Sequence, residues 1–127
     1  MLMNAFEKEW IQLCDGYIRY TEKKDPSKEE IESSFKYLED LIHEYGITKI
    51  LLDISDSNKP NVEIRNLLKT KWQGLQQHLD QVAVVTGECV LLNTTAKFII
   101  RGIGLKGFSL HKDNSEACVA LGVWRRV

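Results

Sequence analysis

Chemistry-bearing side chains are scarce here, and each shortage excludes a class of function. Three cysteines, Cys14, Cys89 and Cys118, are an odd set without a C-x-x-C spacing. A disulfide framework or zinc knuckle is therefore not expected, and a reducing, cytoplasmic compartment fits. The three histidines, His43, His78 and His111, form neither an H-E-x-x-H motif nor a pair close in sequence, so no metal site is expected. Charge of one sign is not in excess: 17 basic and 18 acidic residues leave a formal net charge of -1. Such a balance gives no long-range attraction for nucleic acid or an anionic membrane. No apolar run approaches the roughly 20 residues that span a bilayer. The first residues, Met1 to Lys8, lack the basic-then-apolar pattern of a signal peptide.

What the chain does have is an ordinary globular composition, 43% apolar and 28% charged over 127 residues. That length fits one domain, residues 1–127, able to bury about two-thirds of its unfolded surface without metal or disulfide support. Trp10–Cys14 and Tyr17–Thr21 read as paired strands around Asp15-Gly16, a dipeptide suited to a type I′ turn. Ser27-x-x-Glu30 is a capping box, and Ile31, Phe35, Leu38, Ile42 and Tyr45 follow at helical spacing until Gly46. Lys49–Ile54 and Gln81–Thr86 are short apolar runs, the mark of strands covered on both faces. Between them, Pro60-Asn61 starts a helix whose stripe runs through Ile64, Leu68, Trp72, Leu75 and Leu79. Asn93-Thr94-Thr95 offers cap oxygens to a helix over 96–103, and 107–111 reads as a last strand. Asp113-x-x-Glu116 is a capping box for a final helix with Ala117, Cys118, Leu121 and Trp124 inward. The order ββαβαβαβα predicts an α/β fold: a mixed, mostly parallel five-stranded sheet with helices packed on it and an antiparallel first strand at its edge.

Candidate chemistry is sparse. Gly102-x-Gly104-x-x-Gly107 matches G-x-G-x-x-G, but helix precedes it and strand follows. A dinucleotide site needs the reverse, so the glycines read as a helix stop and turn, and no cofactor is expected. His43 and His78 lie near helix C-termini, where the dipole favours them structurally. Cys89, with His111 or an acid, could form a nucleophile set at the sheet's C-terminal edge, but no activating neighbour adjoins it. Asp53, Asp56 and Glu88 stand at the same strand ends and read first as caps and turn residues. Thr94, Thr95, Lys97 and Arg101 make a candidate anion site at a helix start; the alternative is a solvated face.

Four phrases carry a family resemblance: Gly16-Tyr17-Ile18-Arg19-Tyr20; Lys49-Ile50-Leu51-Leu52-Asp53-Ile54; Val82-Ala83-Val84-Val85-Thr86-Gly87 with Asn93-Thr94-Thr95-Ala96-Lys97-Phe98; and Phe108-Ser109-Leu110 before Asp113-x-x-Glu116-Ala117. In this order they resemble the STAS/SpoIIAA-like (STAS/Sec14-like) bacterial domains over nearly the whole chain. That resemblance implies the STAS fold and a non-enzymatic regulatory or protein-interaction role without catalytic residues. In the family's anti-sigma-factor antagonists a phosphorylated serine sits in D-S-[ST]-G. The matching Asp56-Ser57 makes Ser57 a phosphoacceptor candidate, with Asn58 and Lys59 in place of the rest of that motif.

The most informative stretch is 96–105. Phe98, Ile99, Ile100, Ile103 and Leu105 exceed what one helical face can bury, which marks an interface or an apolar groove. An unknown protein partner, a homodimer, or a small apolar ligand held between the helix and the sheet are the occupants this pattern admits.

Overall fold

The computed structural model describes residues 10–58, 60–102, 104 and 107–123. The elements are β1 (Ile11–Leu13), β2 (Ile18–Thr21), α1 (Lys28–Tyr45), β3 (Lys49–Asp53), α2 (Val62–Gln76), β4 (Gln81–Val85), α3 (Val90–Gly102), β5 (Phe108–His111) and α4 (Asn114–Leu121). They form the expected α/β fold in the expected order. The sheet runs β1-β2-β3-β4-β5. β1 pairs antiparallel with β2, while β2 through β5 are parallel.

Because each crossover leads to the next strand in line, crossovers of one hand leave their helices on one face. That face holds the main core. Ile18 and Tyr20 of β2, Ile50 and Leu52 of β3, and Val82 and Val84 of β4 meet Ile31, Phe35, Leu38 and Ile42 of α1 and Leu68, Trp72 and Leu75 of α2. Trp72 is its hub, edge-on to Phe35 at 5.1 Å and to Phe108 at 5.6 Å. The opposite face is smaller. Tyr17, Leu51, Ala83 and Val85 are covered there by Ala117 and Leu121 of α4.

The helix termini follow local chemistry. Ser27 Oγ accepts from the Glu30 amide and Glu30 accepts from the Ser27 amide, closing the capping box. Lys23 donates to the same glutamate at 2.8 Å. The lysine first, then the Ser27 amide, holds the Glu30 carboxyl below its ordinary range. Asn61 caps α2 through the Ile64 amide. Asp113 accepts from the Glu116 amide, but Glu116 turns toward His111, so only half of that expected box forms.

Four expectations are corrected. The β1–β2 turn is not type I′: Gly16 alone has positive φ, since Asp15 carries a Cβ that disfavours it, and Cys14 N–H closes the loop on the Tyr17 carbonyl. Tyr45 is exposed at the end of the α1 stripe. α2 stops at Gln76, so Leu79 lies beyond it, half-buried. α3 begins at Val90, not Ala96, with the Cys89 carbonyl accepting from the Asn93 amide; Thr94 and Thr95 are inside the helix rather than at its cap. Trp124 lies outside the described residues.

Candidate functional site

β2 to β5 run parallel, so the loops that follow them gather along one edge of the sheet. On the main-core face of the sheet lies a cavity of about 80 Å³. Its floor is Leu52, Val84 and Phe108, from β3, β4 and β5. Leu68 and Trp72 of α2 form one wall, and Leu92, Ala96, Ile99 and Ile100 of α3 form the other. The void has a local cause: α3 buries only Leu92 and Ala96, and alanine leaves open the space a larger side chain would fill.

One ionisable group, Glu22, stands among the described lining residues. Alternation along an extended chain explains its place. Ile18 and Tyr20 point into the main core, and Glu22, two residues on, follows them. Its amide donates to the Asp53 carbonyl at 2.8 Å, extending the β2–β3 pairing one residue past the strand. Burial in this setting pushes the Glu22 carboxyl up to about 7. Neighbouring Tyr20 is buried, and burial first, then the Glu22 charge, raises its phenol, while Ser34 acts in the opposite direction.

Ser57 and Asn58 complete the rim. Ser57 Oγ donates to the Ile54 carbonyl at 2.9 Å, and its amide donates to the same oxygen. The Asn58 side chain donates to both carboxylate oxygens of Asp25, and its amide donates to the Lys24 carbonyl. The β3–α2 loop is thus tied to the β2–α1 loop beside Glu22.

The groups suggested by sequence separate in space. Ile99 lines the cavity, whereas Phe98 is 63% exposed on the outer side of α3; Ile103 and Leu105 lie outside the described residues. Thr95 faces the cavity, while Thr94, Lys97 and Arg101 share a shallow outer hollow with Phe98 and Gly102, so the four candidate anion ligands are not brought together. Ser57 reaches the rim with its hydroxyl engaged.

Among the described residues no hydrogen bond or ion pair joins the polar candidates at the strand ends to one another. Asp53 accepts from the Ser55 amide and hydroxyl, at 2.9 and 2.6 Å, and lies 4.0 Å from Arg19. None of these contacts involves Asp56 or Glu88. His111 Nε2 is 2.7 Å from Ser109 Oγ, but its Nδ1 is 3.9 Å from Glu116, beyond hydrogen-bond reach, so the acid does not orient the ring as a nucleophile triad needs. Cys89 is exposed. His43 and His78, far apart in sequence, stack edge-to-face at 5.0 Å between α1 and the end of α2. Among the described residues no group of three or more His, Cys, Asp or Glu is placed to hold a metal ion. No described helix is long and apolar enough to cross a membrane.

Glu22 is the ionisable site residue that sequence reasoning passed over, and Leu92 was passed over with it. Glu22 opens the polar run Glu22-Lys23-Lys24-Asp25 and reads there as loop. The available signal was period-2 spacing after Ile18 and Tyr20. No protein-family model matches this chain, and no curated protein matches it.

Proposed function

We propose that this chain is a non-catalytic regulatory binding module of the STAS/SpoIIAA-like type, holding a small apolar ligand between α3 and the sheet. The observation that carries the reading is the apolar cavity on the sheet, walled by α2 and α3. Small-molecule sites are concave, with mostly apolar walls and few polar groups. Native mass spectrometry of gently purified protein tests it. A non-covalent added mass that Ala96→Phe removes supports the reading. Bare protein that also leaves its Trp72 signals unmoved by small apolar molecules overturns it.

A second reading, docking of a protein partner or a second copy, is favoured by the outer side of α3. Val90, Leu91 and Phe98 are 78%, 54% and 63% exposed there. A dimer in sedimentation experiments that Phe98→Ser abolishes supports self-association; a strict monomer at micromolar concentration removes that occupant.

A further inference from the structure

Glu22 gives the cavity a chemical preference beyond size and apolarity. Four residues with polar side chains, Glu22, Ser57, Asn58 and Thr95, border it, and only Glu22 can carry charge. No basic side chain stands among the described lining residues. Lys23, next in sequence, is drawn elsewhere, to Glu30 at 2.8 Å and over the Trp10 ring at 5.2 Å. Ser57 donates to a backbone carbonyl and Asn58 to Asp25, so neither is committed to the glutamate. Half-buried Glu22 therefore stands beside apolar walls, and no hydrogen bond from the described lining residues reaches its carboxyl.

A carboxylate in such a place is satisfied best by a cation that brings its own N–H donors. Trp72 and Phe108 line the same space, and a ring face open to it favours a cation over an anion. Size sets the rest. The space of about 80 Å³ is roughly half of an engineered cavity of about 150 Å³ that accommodates benzene. That inner space takes a short aliphatic body, and the rest of the pocket is open to solvent.

We propose that the cavity is a binding site for small primary alkylammonium ligands, with the ammonium group seated on Glu22 and a chain of a few carbons among Leu52, Trp72, Leu92 and Ile100. This proposal rests on the ligand-binding reading above and narrows its ligand class. Ammonium-to-carboxylate hydrogen bonds discriminate against a neutral isostere by roughly tenfold or more.

The test is an NMR titration of the full chain at pH 8 with n-propylammonium chloride, 1-propanol and sodium propionate as matched probes. The Trp72 indole and the Leu92 and Ile100 methyl groups report. Propylammonium is expected to shift these signals with an affinity at least about tenfold above that of propanol, and propionate to leave them unmoved. Glu22→Gln is expected to erase that difference while still binding propanol, which also shows that the variant is folded. Equal shifts by propylammonium and propanol, or an unchanged preference in Glu22→Gln, overturn the ammonium proposal and leave the apolar-ligand reading standing. Absence of lining shifts with all three probes in the unaltered protein overturns both.

Discussion

At Glu22 and Gly107 the local structure works against intrinsic preference: a carboxyl is shifted by burial, and a backbone at positive φ has no room for a Cβ. The Glu22 carboxyl is lifted from 4.5 to about 7, so between those pH values the folded chain binds more protons than the unfolded one. Stability is then lost as pH rises through that window, the reverse of a salt-bridged carboxylate. Glutamine carries no such titration. Glu22→Gln is expected to be more stable than the unaltered protein at pH 8 by on the order of 2 kcal/mol, a value that allows for the residue's remaining solvent contact. The gap should close toward zero below about pH 4.5, as urea denaturation at pH 4 and 8 will show. A gap independent of pH would contradict the buried carboxyl. Gly107 has φ +75°, and a Cβ there would collide with the Asp80 backbone carbonyl. Gly16, at φ +84°, has open space around its missing Cβ. Gly107→Ala should therefore cost about 3 kcal/mol or more, and Gly16→Ala only about 1 kcal/mol, in the same denaturation assay. Equal losses would show that backbone conformation alone matters at both positions.

Among the elements, α1 was fully legible in its bounds, because its signals are local. Ser27 and Glu30 satisfy each other's amides within one turn, and Gly46 ends the helix at φ +63°. The start of α3 was misread because Asn93-Thr94-Thr95 resembles a cap, whereas the turn at 87–88 and the Cys89 carbonyl open the helix earlier. Val90 and Leu91 then fall in its first turn, largely exposed, and Leu92 turns inward. The apolar excess noticed at 96–105 becomes two surfaces, a cavity wall through Ile99 and Ile100 and an outer face through Phe98. α4 has the opposite character: eight residues with two buried side chains, Ala117 and Leu121, pack on the smaller core, with Cys14, Cys118 and Val123 beside them. Lys49 Nζ donates to the Leu121 carbonyl at 2.7 Å, which ties the end of α4 to the start of β3. Leu121→Ala is expected to cost about 3 kcal/mol, against less than about 1 kcal/mol for Leu91→Ala on the exposed start of α3. Comparable losses at the two positions would mean that α4 is not the principal cover of that face.

At the scale of the molecule, the parallel order β2-β3-β4-β5 gathers α1, α2 and α3 on one face and leaves the other to α4. α2 and α3 thereby become the walls of a space over Leu52 of β3, Val84 of β4 and Phe108 of β5. The sequence by itself determined the elements and their order. Periodicity, caps and turn glycines act over a few residues, and strands separated by helices leave few topologies. It also contained Glu22 on the inward alternation of β2, although adjacent charges in the loop obscured it. Only the tertiary structure decided that Glu22 lines one space with α2, α3 and residues of β3, β4 and β5. It likewise decided that Thr95 parts from Thr94, that Ile99 parts from Phe98, and that His43 meets His78. The physical reason is separation along the chain. Glu22, Trp72 and Ile100 come together through crossovers whose geometry is set by the packing of whole helices, and a cavity is the volume that this packing leaves unfilled.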